Sequence, residues 1–269
     1  MTSTPLPSTT RPTTDGAIRS TARVRMVRAY LRLELRRMLR DRRTLVFSLM
    51  IPAAVYLAFG ASADHRTTQV GPDTNLAASL LVSIALYGAL LTTTSGGAGV
   101  AVERAQGWTR QLRLTPLDPW AYVLVKVLAS MAIGAVSVLI TFVVGAFAGA
   151  QMPPPAWILC ALFAWCGSLV FAAFGLFMGY LLPTESVVKV LGPVLAVLSF
   201  AGGLFLPFSD GSVLAAVSRV MPTYGLAELV RAPLGGGSFE ILAVVNVAAW
   251  TAVFFAGAIW RFRKDTARV

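Results

Sequence analysis

Leu76–Val102 reads LAASLLVSIALYGALLTTTSGGAGVAV, and the chain runs straight on into ERAQGWTRQLRLTPLDP, Glu103–Pro119. The first stretch carries no charge. It is longer than the about 20 helical residues that cross a bilayer core of about 30 Å. The second is short, basic and amphipathic, and a further apolar run begins at Tyr122. A polar island of that length, between two membrane helices, is held at the membrane surface by both ends. A soluble partner can push on it, and the push passes to the helices on either side.

The rest of the chain repeats the pattern. Of its 269 residues 56% are hydrophobic and 13% charged, with a mean hydropathy of +0.71. Soluble domains carry about a quarter charged residues, so lipid is the natural solvent for most of this chain. Six spans are expected, at about 44–63, 76–102, 122–150, 157–182, 187–207 and 241–260. They must be helices, because lipid offers backbone groups no partner. The expected fold is an all-α integral membrane protein of six transmembrane helices.

Twenty of the 23 Lys and Arg residues fall on the side of the termini, and only Arg66, Arg219 and Arg231 on the other. That bias predicts a multi-pass membrane protein with both termini in the cytoplasm. The net charge of +11 then reports topology and attraction to anionic membrane lipid. No nucleic-acid partner is expected, because the basic residues border spans instead of forming a separate basic domain.

Residues 1–16, rich in Thr, Ser and Pro, predict a disordered tail. Residues 17–43 predict an amphipathic elbow helix lying in the interface. Val24, Val27, Leu31, Leu35 and Met38 form one stripe; Arg25, Arg28, Arg32, Arg36 and Arg40 form another. At 208–240 two short apolar segments flank Met221-Pro222, each too short to span. They predict a re-entrant helical pair between spans five and six, ending at Gly235-Gly-Gly237. Residues 261–269 form a cytoplasmic tail. Gly145/Gly149 and Gly175/Gly179 predict close helix approaches, and Pro52 and Pro193 predict kinks. The hydroxyls of Thr92-Thr-Thr94 either line a path or bond their own backbone.

No span carries a charge near its midplane. Lys126 and Lys189 sit at cytoplasmic ends and are expected to snorkel. An empty midplane argues against a proton-coupled carrier or a charged channel and suits an apolar or amphipathic cargo. A lipid-modifying enzyme would need a nucleophile, base or metal set near the interface; the chain has one His, placed outside, and two Cys residues six apart. It also has no GxxxxGK[ST] phosphate cradle, so no cofactor is expected on this chain.

Glu103-Arg104 closing span two, then Gly107, Leu112 and Thr115-Pro116-Leu117, then Lys126 in the next span, resembles the first cytoplasmic loop of ABC-2 (type-2) ABC exporter permeases. The Arg-rich helix before span one, the six spans and the Met221-Pro222-Thr-Tyr224…Arg231 segment extend the resemblance over residues 19–263. It implies a non-catalytic membrane subunit that pairs with a second permease, identical or related. Two ATP-binding subunits would supply ATP and Mg, and drug, antibiotic, lipid-linked or peptide cargo would be exported. On this resemblance 103–119 is the coupling loop, with Glu103, Arg104, Gly107, Trp108, Arg110, Leu112, Thr115 and Pro116 facing the ATPase. Pro222, Tyr224 and Arg231 belong to an outer gate. Many family members carry an acidic residue shortly after the glycine. This chain has Trp108, Thr109 and Arg110 there, which implies a dedicated ATPase with an acidic cleft.

Overall fold

The computed structural model describes residues 14–107, 119–206, 208, 211–236 and 239–266. It is helical throughout apart from one small hairpin. Helix α1 (Thr14–Arg40) is followed by α2 (Arg42–Val55), which continues into a π-helical turn, Tyr56–Gly60. A short α3 (Ala63–Thr67) and a hairpin of β1 (Gln69–Gly71) and β2 (Thr74–Asn75) lead to α4 (Leu76–Ala98) and α5 (Val100–Ala105). Then come α6 (Pro119–Phe147), α7 (Pro154–Gly167), α8 (Leu169–Leu181) and α9 (Thr184–Ala201). Two short helices, α10 (Val213–Ser218) and α11 (Tyr224–Arg231), precede α12 (Ile241–Thr266).

Among the described residues five helices are long and apolar enough to cross a membrane: Leu76–Ala105, Ala121–Phe147, Pro154–Leu181, Thr184–Ala201 and Ile241–Arg263. At the place of the first expected span lie α2 and its π turn, whose apolar part, Ser48–Gly60, is shorter than these five. Several ends shift. Helix already starts at Thr14, inside the expected tail, and Glu103–Ala105 are helix and not loop. α6 begins at Pro119 and α7 at Pro154, both earlier than expected. Proline is well placed in a first helical turn, where its missing N–H is no loss.

α4 lies at the centre, with Leu81, Leu86 and Leu90 fully buried. Small residues let its neighbours approach. A Cβ on Gly175 of α8 would lie 2.1 Å from the Thr94 carbonyl, and one on Gly97 2.5 Å from the Ala172 carbonyl. The Gly175/Gly179 pair is thus a helix–helix contact. Of Gly145/Gly149 only Gly145 is one, abutting Leu81 of α4; Gly149 lies beyond the end of α6 with φ +91°. Thr92, Thr93 and Thr94 all bond backbone carbonyls, Thr93 and Thr94 reaching Ser168 (3.0 Å) and Phe171 (3.3 Å) across the α4–α8 contact. Pro52 of α2 rests on Gly88 of α4, where a Cβ would meet its ring at 2.5 Å.

At the far end from the basic residues, Asn75 fastens the loops. Its Oδ1 accepts from the backbone N–H of Ala78 and Gln151, and its Nδ2 donates to the carbonyls of Arg66 and Gly149, all within 3.1 Å.

Candidate coupling site

The site is built on α5, the six-residue helix that ends where the basic loop begins. Glu103 and Arg104 are its last charged pair, and adjacent helical residues point about 100° apart. They therefore reach different neighbours. Glu103 is 2% exposed. It accepts from Arg37 of α1 at 2.5 Å, from the Tyr122 hydroxyl, and from Lys126 of α6. Lys126 also donates to Glu34 of α1 at 2.5 Å. The ring of Tyr30 stacks on that of Tyr122. Two carboxylates thus face one ammonium and one guanidinium, a charge-balanced cluster joining α1, α5 and α6. Burial of this depth is tolerable only because every charge is paired.

Arg104 turns the other way. Its guanidinium donates to the carbonyls of Gly179 (3.2 Å) and Tyr180 (3.1 Å) at the C-terminus of α8 and lies over the Tyr180 ring. Arg261 of α12 donates to the same Tyr180 carbonyl at 3.3 Å. Cations there satisfy last-turn carbonyls and oppose the negative end of the helix dipole. The Thr184 hydroxyl, opening α9, donates to Ala101 of α5 at 2.9 Å. The root of the loop is therefore fastened to α1, α6, α8 and α9 at once. Gly107 follows with φ +72° and open space around it. That left-handed residue ends the helix and turns the chain away.

Trp108, Arg110, Leu112, Thr115 and Pro116 lie outside the described residues. Arg25, Arg28, Arg32, Arg36 and Arg40 are exposed on α1 and stay out of the ion cluster; Arg37, not one of that stripe, enters it. Lys126 does not snorkel. It is 3% exposed because two carboxylates hold its ammonium inside the protein. Glu34, Arg37 and Tyr122 were not anticipated. The signal for Glu34 is its phase: three residues after Leu31 and four before Met38, it sits on the apolar stripe, where a lone carboxylate needs a partner. Lys126 has a comparable signal, since Tyr122, Lys126, Ser130, Ser137 and Thr141 recur on one face of α6, all buried.

At the far end, α10 and α11 belong to a pair of segments bent by 92°. Pro222 is buried in the bend. Asn246 of α12 donates to the carbonyls of Arg219 (2.9 Å) and Met221 (3.2 Å) and accepts from Gly225 N–H at 3.3 Å. The Trp250 indole donates to Val220 at 2.9 Å, and the Thr223 hydroxyl to Leu198 of α9 at 2.5 Å. Arg231 donates to the carbonyls of Gly203, at 2.7 Å, and Leu204. Tyr224 donates to Glu240 at 2.8 Å. Pro222 therefore lies in the bend, and Tyr224 and Arg231 at the two ends of α11. Among the described residues no group of three His, Cys, Asp or Glu side chains could hold a metal ion.

Residues 25–234 match the family model described as ABC-2 type transporter. The chain belongs to the ABC-2 type transporter family. This ABC-2 permease is also 26% identical, over 241 residues, to a Bacillus subtilis (strain 168) protein named "Putative transport permease YvfS". That alignment covers 87% of this chain and 96% of the relative. The family match begins within α1 and ends at the far-end turn, so both the coupling root and the bent pair fall inside it. An ABC-2 permease implies an ATP-binding partner in general.

Proposed function

We propose that this ABC-2 permease is the membrane subunit of an ATP-driven exporter, and that α5 is the point where movement of the ATPase enters the membrane helices. The chain would pair with a second permease and two ATP-binding subunits in a bacterial cytoplasmic membrane, with its termini and its basic loop in the cytoplasm. One observation carries the reading: Glu103 and Arg104, at the root of the loop, are fastened in opposite directions to three helices, α1, α6 and α8, and Ala101 of the same helix to α9. A displacement of the loop is passed to those helices, because Glu103 and Arg104 meet them in charge-assisted bonds. Spans without a midplane charge suit an apolar or amphipathic cargo. The re-entrant pair would close the outer mouth.

The test is ATP-dependent efflux with the partner ATPase present, comparing the parent chain with Trp108→Ala and Arg110→Glu. Both variants should still insert and should lose transport together with stimulation of the ATPase. Transport and stimulation unchanged in both would remove the loop from the mechanism. Transport that persists without ATP but stops when a proton gradient is collapsed would replace the exporter by a secondary carrier.

A further inference from the structure

Helix α1 keeps step with α6. Tyr30 stacks on Tyr122, and one turn further on Lys126 donates to Glu34 at 2.5 Å. After another turn, Met38 and Ser130 meet over Gly96, at 3.3 and 2.5 Å from the place its Cβ would take. Equal steps along both helices mean that α1 runs beside the inner end of α6 and not across it. Its inward stripe is thereby spent on protein: Val27, Leu31, Leu35 and Met38 are half-buried, and Glu34 is buried.

The outward face is basic. Residues two apart on a helix point about 200° apart, so Arg32 and Arg36, on either side of Glu34, face away from α6. Arg25, Arg28 and Arg40 fall within about 60° of the same direction. All five are exposed, Val24, Leu33 and Leu39 are exposed among them, and the face carries no carboxylate. The crossing part of α6, Ala121–Phe147, has 27 residues. At about 40 Å it exceeds a bilayer core by about 10 Å, which leaves its first turns, and the stripe beside them, at the level of the headgroups. An ATPase that meets the loop comes from the end of the bundle, whereas this stripe faces sideways, where lipid is the neighbour. Arginines with leucines among them suit that layer, guanidinium groups on phosphate and leucines against acyl chains.

We propose that the outward face of α1 binds anionic phospholipid, with phosphate groups held between Arg28, Arg32 and Arg36 and acyl chains along Leu33 and Leu39. Neighbouring guanidinium groups lie one helical turn apart, and each can take a phosphate through two parallel N–H donors. Lipid on this face presses α1 onto α6, and the inner face of α1 supplies Glu34 and Arg37 to the ion cluster. Anionic lipid therefore sets how firmly the cluster is closed. Its effect on transport rests on the coupling reading; its binding does not.

The test extracts the full-length permease, without ATPase, from vesicles of equimolar phosphatidylcholine and phosphatidylglycerol, and counts the lipid that stays with it by mass spectrometry. The parent should retain phosphatidylglycerol over phosphatidylcholine at least about threefold. Arg28→Gln with Arg32→Gln and Arg36→Gln should bring the ratio near parity, glutamine keeping the helix propensity. Should the triple variant not accumulate, Arg32→Gln alone should lose about a third of the preference or more. In nanodiscs, phosphatidylglycerol should raise the melting temperature of the parent above that in phosphatidylcholine, and the rise should vanish in the triple variant. The proposal is overturned if the parent shows no preference. It is overturned too if the triple variant keeps the preference whole and loses ATPase binding instead, which would make the stripe a protein contact. A rise in melting temperature reproduced by sn-glycerol 3-phosphate alone would reduce it to a site for a soluble anion and also overturn it. The lipid count involves no ATPase, so it can fail while loop coupling stands, and the reverse.

Discussion

The two ends of the molecule are fastened by different chemistry. At the basic end, Arg104, Arg261 and Thr184 hold backbone carbonyls, but the buried centre holds side chain to side chain: Glu34, Glu103, Lys126 and Arg37 pair charge with charge across three helices. At the far end, side chains hold backbone: Asn246, Trp250, Thr223 and Arg231 bond carbonyls of the bent pair and of the end of α9. A charge cluster can exchange partners, since each ion finds an equivalent counter-ion a few ångströms away. A backbone carbonyl freed by a bend has no such alternative in a water-poor setting. The ion cluster can therefore trade one counter-ion for another while α1, α5 and α6 stay fastened, whereas the far end keeps one shape.

The contrast breaks most severely at Lys126. Lys126→Met leaves two buried carboxylates facing each other. Loss of one partner from a buried ion cluster costs about 3–5 kcal/mol, so the variant should melt far below the parent in detergent micelles or fail to accumulate. Exchange of the charges, Glu34→Lys with Lys126→Glu, should restore part of the loss, which a purely steric role for Lys126 would not allow.

Next comes Asn246→Ala, which strands two carbonyls and one N–H of the bend. At about 1 kcal/mol or more for each unmade bond, the loss is about 3 kcal/mol. Hydrogen exchange should rise at 219–225 and stay unchanged at 100–105. A uniform rise would remove the distinction between the ends. Gly225→Ala is expected to be milder, about 1–3 kcal/mol for overpacking, because its new methyl would lie 2.4 Å from the Ala243 carbonyl. It should raise exchange in the same segment. The smallest effect belongs to Glu34→Gln. The amide keeps the shape and one acceptor for Lys126, so the loss should be about 1 kcal/mol, read as a small shift in melting temperature.

Sequence and structure agree where a long apolar run decides the outcome. The uncharged run after Leu76 admits no other reading than a buried helix, and the same holds for the runs ending in Phe147 and Leu181. The first expected span was less legible, because its apolar part is short and ends in a π turn whose Gly60 lies against the Tyr56 ring. Lys126 was expected in the lipid interface and instead has protein neighbours. Position along a helix reports depth, whereas snorkelling or pairing depends on what the next helix presents, here Glu34, 92 residues away. Glu103 and Arg104 were legible as the charges closing the run after Leu76, but not as helix, nor in their opposite directions, which follow from three further helices. Asn246 lies in an apolar run and gives no periodic signal; only the bend across from it shows its use.

The most direct test reads motion at the far end when the basic end is unfastened. Spin labels at Ser62 and Gly211 of the otherwise intact permease, assembled with its ATPase, report distance changes on nucleotide trapping without knowledge of the cargo. The parent complex should change its label distance between the nucleotide-free and trapped states. In Glu103→Gln with Arg104→Gln, the ATPase should still bind while that change is lost. An undiminished change in the double variant would contradict the account, because movement would then reach the far end without passing through α5.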